Sequence, residues 1–310
     1  MHETARNLMR LWDYDGAILI VDRELDRCSD LGSSTDLWHL RFLRADLTRL
    51  RGHTEEALAY LAANEADFPP DSNDLPSLIG LKNTRGYCLG MLGKFTASDG
   101  LLKEAELLAR EAGPPEWLCE VWRSQAWFSY VRHDFATSDL LFRQILQHSE
   151  QAGEWYFRAI GLWGVGKNLM MQGHINSDPK LLKEALNWFE KAHDLFAAAG
   201  VHVFAYGDMA VCHLDLGDDQ KSLDLLEELL PFAARIGWVH SYQVTIANIG
   251  NVFRIRGDYL RAIEYYRCAV EYAEAIRDPV SIKKWTQNIH LSYHLLGQSI
   301  ERLRSTPASV

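Results

Sequence analysis

The stretch Thr245–Pro279, TIANIGNVFRIRGDYLRAIEYYRCAVEYAEAIRDP, decides the fold, because its skeleton recurs along the whole chain. Small Gly250 stands seven residues before Gly257. Asp258-Tyr259 follow, and Ala262, Tyr266 and Ala269 come after them at helical spacing. The pattern predicts two antiparallel helices. Gly250 and Ala262 face each other where the helices cross, and side chains of this size let the axes approach at the short end of the usual ~8–10 Å. Gly257 ends the first helix in a conformation that glycine enters cheaply. Tyr266 and Phe253 fill the volume beside the crossing, and Ala269 leaves room for the next pair. One such hairpin cannot bury its own apolar face, so the units must stack.

Residues equivalent to Gly257 are Trp12, Gly52, Gly93, His133, Gly173, Gly217 and Gly297, with a step of 40 or 41 throughout except for 44 between Gly173 and Gly217. Seven positions earlier stand Ala5, Ala45, Gly86, Ala126, Gly166, Ala210, Gly250 and, out of pattern, His290. Five positions after the turn come Ala17, Ala57, Ser98, Ser138, Ser222 and Ala262. In the fifth unit the corresponding small residue is Ala185. The intervening Asp178-Pro179 reads as a helix start, with Asp capping and Pro at the first helical position. About a turn and a half of extra helix and a longer loop are expected there. Pro231, within a helical pattern, should kink the second helix of the sixth hairpin.

This pattern resembles the tetratricopeptide repeat, in the long form with a period of about 40 residues in place of 34. The resemblance extends to the arrays of maltose-regulator-type transcription activators, kinesin light chains, Pins-type adaptors and proteins carrying caspase-like CHAT proteases. The tail residues Trp285, Asn288, Tyr293 and Gly297 look most like the last of these. The resemblance implies an all-α, right-handed solenoid of about seven to eight antiparallel hairpins. Residues 1–310 are read as a single solenoid domain, with hairpins at about 1–31, 35–68, 75–112, 115–152, 154–199, 201–236, 239–277 and 279–304. Boundaries carry turn residues: LGSS at 31–34, FPPDSNDLP at 68–76, Gly113-Pro114-Pro115, Gly153, Gly200, Gly237 and Asp278-Pro279. The two ends read either as capping elements or as the cut ends of a longer protein.

With 47% hydrophobic and 24% charged residues the chain can form a core, and its formal charge of −10 argues against nucleic acid as the default partner, a local basic patch aside. Cys28, Cys88, Cys119, Cys212 and Cys268 are far apart and fall in predicted helices, so they read as reduced core or half-core residues. No apolar run approaches the ~18 residues of a membrane span, and no signal peptide is visible. The expectation is a cytoplasmic protein with no membrane partner.

GLWGVGKN, Gly161 to Asn168, fits a phosphate-loop spacing but has Asn168 where Ser or Thr would hold magnesium. No strand precedes it, and Gly166 is already used as a crossing residue. The pairs His193/His202 and His290/His294 approach metal-ligand spacing without a carboxylate on the same face. No catalytic, metal or cofactor site is assigned, and the chain is read as non-enzymatic.

The resemblance places the first helix of each hairpin on the inside of the superhelix, where ligands lie extended. Counting from the crossing residues, that wall holds Arg6, Arg10, Asp46, Arg49, Asn83, Tyr87, Arg123, Trp127, Tyr130, Trp163, Lys167, Met170, Asp208, Asn248, Asn251, Arg254, Lys284, Gln287 and Asn288. For an acidic protein this set is rich in Arg, Lys, Asn and aromatics and poor in acids. Asn can pair with both backbone groups of an extended peptide, and Arg or Lys can hold a carboxylate. The candidate peptide-binding residues are Arg123, Trp127, Tyr130, Trp163, Lys167, Asn248, Asn251, Arg254, Lys284 and Asn288; the aromatics among them read equally well as core between repeats. Removing Asn251 and Arg254 together is expected to abolish binding without changing the melting temperature.

The reading is a scaffold that binds a protein or peptide ligand in its concave groove, as the sensor or adaptor part of a larger signalling protein. The alternatives are a small-molecule-sensing module of a transcription regulator and the regulatory array of a CHAT protease.

Overall fold

The computed structural model describes residues 2–31, 34–65, 75–112, 115–236 and 239–305. They form helices and no strand. The order is α1 (His2–Arg10), α2 (Tyr14–Leu31), α3 (Ser34–Leu50), α4 (Thr54–Glu65), α5 (Leu75–Met91), α6 (Phe95–Ala112), α7 (Pro115–Val131), α8 (Phe135–Ala152), α9 (Trp155–Asn176) and α10 (Pro179–Ala198) in a first unit, Met1–Ala205. A second unit, Tyr206–Val310, holds α11 (Tyr206–Asp215), α12 (Asp219–Arg235), α13 (Val239–Ile255), α14 (Tyr259–Ala275) and α15 (Pro279–Ser305). Of the expected boundaries, Gly32-Ser33, the segment 68–74, Gly113-Pro114 and Gly237 lie outside the described residues.

The turn positions behave as their spacing requires. Gly52, Gly93, Gly217 and Gly257 have φ of 93°, 76°, 86° and 80°, and Trp12 and His133 adopt the same left-handed conformation at 63°. At Gly257 the amide of Asp258 donates to the Phe253 carbonyl at 2.9 Å and that of Gly257 to Arg254 at 3.2 Å, which closes the helix end. The turn at Trp12 makes the same two bonds, Asp13 to Leu8 at 2.8 Å and Trp12 to Met9 at 3.0 Å. A left-handed backbone costs a residue with a Cβ roughly 1–2 kcal/mol, so tryptophan at this turn is held there by contacts elsewhere. The aspartate after the turn caps the second helix. Asp13, Asp134, Asp218 and Asp258 accept from the amides of Gly16, Thr137, Lys221 and Arg261 at 2.9–3.3 Å.

The crossing residues are packed. Ala5, Ala45, Ala126 and Ala210 are at most 1% exposed, and Ala17, Ala57, Ser98, Ser138, Ala185, Ser222 and Ala262 are all at 0%. A Cβ on Gly250 would meet the Tyr266 ring at 3.0 Å and the Ala262 carbonyl oxygen at 3.3 Å, so these helices do cross at the expected pair. Cys88, Cys119 and Cys212 are buried and Cys28 and Cys268 half-buried, all as free thiols. Burial pushes Cys88 and Cys119 up to about 12.

Two local expectations are corrected. In the fifth hairpin the extra residues lengthen α9 to 22 residues and leave the loop short, because the helix continues through Gly173 and turns at Ser177, φ 50°. Gly173 cannot be the turn: it is helical and packs on Leu182 of α10. Pro231 lies inside α12 (Asp219–Arg235), as its place in the helical pattern requires, and is exposed there. The turn expected at Gly297 is absent, and α15 runs through it as one helix of 27 residues.

His290, in the crossing position of α15, is exposed, so this helix has a polar face where the others meet a partner. Gly297 is thus a helix-interior glycine with open space around it. Gly297→Ala should raise stability by about 0.5–1 kcal/mol, seen as a higher urea midpoint in circular dichroism. A lowered midpoint would mean that the chain turns at Gly297.

Candidate functional site

In the first unit α3 packs on α5, α5 on α7 and α7 on α9, so the first helices of successive hairpins form a wall. α1 faces that wall directly. Its Arg6 guanidinium lies 3.1 Å from His39 Nε2 on α3 and 4.5 Å from the centre of the Trp117 ring on α7. Its Arg10 lies 5.3 Å from the Tyr156 ring on α9 and 3.8 Å from Glu154. The first helices therefore enclose a shared interior.

That interior is ionic. Arg49 Nη2 donates to Asp46 at 2.5 Å and stacks 4.1 Å from Tyr87, with 5% of its side chain exposed. Arg123 pairs bidentately with Glu120. Burial would raise the Glu120 carboxyl, but Arg123, with Arg49 and Arg10 behind it, outweighs that and holds it below the usual carboxylate range. Burial would lower Arg123 and Arg49. For Arg123 the charge of Glu120 reverses this, for Arg49 that of Asp46, and both end above their ordinary value. Burial also pushes the hydroxyls of Tyr14 and Tyr156 up.

Next to this cluster lies a panel of aromatic side chains. Trp127 on α7 stacks with Tyr130 at 5.6 Å and with Trp163 on α9 at 6.4 Å. Lys167 Nζ sits 5.7 Å from the centres of both the Tyr130 and the Trp163 rings, within cation–π range. All four are half-buried, and the Trp127 Nε1–H is shut from solvent without a hydrogen-bond partner among the described residues.

The second unit holds the other five candidates. Asn251 donates to Asn248 Oδ1 at 3.3 Å and accepts from the Tyr266 hydroxyl at 2.7 Å, and Arg254 Nε donates to that hydroxyl at 3.3 Å. Tyr266 is completely buried. Asn251 and Arg254 are thus part of the packing around Tyr266, and the expectation that their removal leaves the melting temperature unchanged is withdrawn. Lys284 and Asn288 are a turn apart on α15; Lys284 is exposed, 4.6 Å from the Trp285 ring, and Asn288 is half-buried.

Counting outward from the crossing residues missed Glu120, Tyr156 and Trp117. The wall is also less poor in acid than expected, because Asp46, Glu116, Glu120 and Glu154 lie within electrostatic reach of Arg6, Arg10, Arg49 and Arg123. Glu120 carries a signal in the sequence, one turn before Arg123. Tyr156 and Trp117 carry none.

GLWGVGKN is interior helix. Gly161 and Gly164 pack on Leu146 and Phe142 of α8, and Gly166 packs on Phe189 of α10. Buried Asn168 donates to Ser138 Oγ at 3.1 Å. Among the described residues no three His, Cys, Asp or Glu side chains are placed to hold a metal ion, and no helix is long and apolar enough to cross a membrane.

No family model matches the chain, and no curated protein matches it in sequence. Among solved structures it is similar to a Rap protein complexed with competence and sporulation factor, at a TM-score of 0.66 and 15% identity over 96% of this chain and 85% of that one. It is also similar to a tetratricopeptide repeat protein from Parabacteroides merdae ATCC 43184 (TM-score 0.52, 12% identity, 93% and 98% covered). A third neighbour is a signal transduction ATPase with numerous domains and a tetratricopeptide repeat sensor from Pyrococcus horikoshii (TM-score 0.53, 15% identity, 95% of this chain). This chain spans about half of that one, 47%. At these identities the likeness is one of fold, and the fold is that of a tetratricopeptide repeat array.

Proposed function

We propose that this chain, an array of tetratricopeptide-type hairpins, is a non-enzymatic interaction scaffold that holds an extended acidic peptide or protein segment against the first helices of its hairpins. One continuous array is part of the proposal, resting on the repeat register that runs from Trp12 to Gly257. The observation that carries the reading is the panel on α7 and α9. Lys167 stands over two ring faces, and Trp127 keeps a buried donor unpaired. Buried donors are rarely left so, and a backbone carbonyl from a ligand would satisfy this one. Arg123 lies one turn from Trp127 on α7 and adds a second cation to Lys167 of α9. In the second unit Asn248, Lys284 and Asn288 form the proposed contact surface of that unit, and Asn251 and Arg254 hold it in shape through Tyr266. Support for a binding role also comes from the neighbour of like fold solved with its factor bound.

A fluorescein-labelled peptide of ten glutamates serves as the probe. Fluorescence anisotropy should show binding that weakens as salt rises, because exposed charges are screened over ~8–10 Å at ordinary ionic strength. Lys167→Gln should weaken it about tenfold, the scale of removing one charge-assisted hydrogen bond. Lys183→Ala, on the exposed side of α10, should leave it unchanged. Equal weakening in both variants, or no binding by the unaltered protein, would overturn the reading.

A further inference from the structure

The first hairpin reaches past its neighbours to the fifth. Trp12, at the turn between α1 and α2, has its ring centre 5.9 Å from that of Phe196 and 5.5 Å from that of Phe204. Those two rings stack on each other at 3.8 Å, and Trp155 meets Phe196 edge-on at 5.5 Å. Two residues before Trp12, at the end of α1, Arg10 engages Tyr156, Phe157 and Glu154, and Arg6 one turn further back covers Trp117 of the fourth hairpin.

Stacking of neighbouring repeats requires none of these contacts, since each repeat needs only the one beside it. Trp12 also holds a left-handed backbone where Gly52, Gly93, Gly217 and Gly257 stand in other hairpins. A strained residue kept at such a junction marks a feature the fold maintains.

Beside the junction the ionic interior is largely buried. Arg49 has 5% of its side chain exposed, Arg123 19%, and Arg10 23%, and each already has a carboxylate partner, Asp46, Glu120 and Glu154. An incoming acidic segment can engage these guanidiniums only by taking the place of a resident carboxylate, and only where the wall is open. Arg10 is itself one of the groups that closes the wall, so a ligand carboxylate that captures Arg10 removes it from Glu154 and Tyr156.

We propose that Trp12, Arg10 and Arg6 form a clasp that closes the first hairpin over the inner wall of the fourth and fifth, and that binding of an acidic segment to that wall and closure of the clasp exclude each other. This rests on the wall reading above and adds its regulation. The aromatic stack under Trp12 sets how firmly the clasp is shut; the exchange of carboxylates on Arg10 is what opens it. Raising salt weakens the Arg10–Glu154 pair along with the ligand, so ionic strength acts on both sides of the competition.

The test uses the full chain with Trp12→Cys and Phe204→Cys, and with Cys28→Ser and Cys268→Ser to remove the two half-buried native thiols. One sample is bridged with a short bis-maleimide and the other capped with N-ethylmaleimide. The bridged protein should bind the ten-glutamate probe at least tenfold more weakly than the capped one. The capped protein, which has neither the Trp12 nor the Phe204 ring to hold the clasp shut, should bind more tightly than the unaltered chain. Equal affinity of bridged and capped protein overturns the clasp. If Lys167→Gln still weakens binding in that case, the wall reading stands without it; if the unaltered chain does not bind the probe, both fall. Hydrogen exchange on the unaltered chain keeps the test independent of the variants' folding. Probe binding should speed exchange of the amides of α1, and slower exchange there would show that the ligand binds the closed form.

Discussion

Gly164→Leu is expected to abolish folding of the first unit at room temperature or to leave it melting far below the unaltered protein. A Cβ at Gly164 would lie 2.1 Å from the Phe142 ring, closer than any real contact, and Gly161 one turn earlier has the Leu146 backbone nitrogen 2.9 Å from its own Cβ position. Phe142 cannot step aside: it is 1% exposed and its ring meets Trp163 edge-on at 6.2 Å. α8 and α9 would have to separate, which opens the core along both helices. Overpacking costs ~1–3 kcal/mol when a neighbour can yield and more when it cannot, out of a total stability of ~5–15 kcal/mol for an ordinary domain. Gly250→Leu in the second unit is the calibrating case, with Tyr266 at 3.0 Å in place of Phe142 at 2.1 Å, and should show the lower part of that range. Urea unfolding followed by circular dichroism in the far ultraviolet separates the two; a Gly164→Leu midpoint equal to that of the unaltered protein would show that the α8–α9 crossing is wrongly placed.

Asn251→Ala with Arg254→Ala should lower the stability of the second unit by about 1–3 kcal/mol, the cost of leaving a buried polar group unpaired. The Tyr266 hydroxyl has Asn251 and Arg254 as its two partners, and the rest of Tyr266 is packed at the crossing of α13 and α14, against Gly250. Removing the polar group at the same place provides the control. Tyr266→Phe in the double variant takes away the orphaned hydroxyl and should recover much of the stability, because an apolar group of the same shape carries no desolvation penalty. With Tyr266→Phe alone as the fourth protein, thermal melts make a cycle with a positive interaction term. If the double variant melts with the unaltered protein, the Tyr266 network contributes nothing, and Asn251 and Arg254 are available to a ligand after all.

These two cases show where reading the chain succeeds. Gly250, Ala262 and Gly257 each answer to a local demand: a close helix crossing admits only small side chains, and a left-handed turn favours glycine. Those demands repeat with every hairpin, so a wrong reading at one position would have broken the register at the next. The register was strong enough to place Trp12 and His133 at turns despite their bulk, and both are left-handed. It failed where a local demand had two solutions. At Gly173 and Gly297 glycine could end a helix or sit inside one, and packing against Leu182 chose the second in one case while, in the other, α15 runs on through the glycine to Ser305.

The candidate site was legible only in part. That Trp127, Tyr130, Trp163 and Lys167 lie together follows from their distance to a crossing residue, since residues one turn apart share a helix face. Whether Asn251 faces a ligand or a buried tyrosine does not follow in this way, because the same helix face borders both.

The sequence by itself determined the all-α class, the hairpin unit and its length, the faces that cross and the turn residues other than those read at Gly173 and Gly297, because each depends on residues close together in the chain and on a pattern that repeats about every 40 residues. Only the tertiary structure decided that Arg6 covers Trp117, that Arg10 meets Tyr156, and that Trp12 lies against Phe196. Those contacts join the first hairpin to the fourth and fifth, and they follow from the small rotation between one hairpin and the next summed over the unit. No side chain encodes that sum.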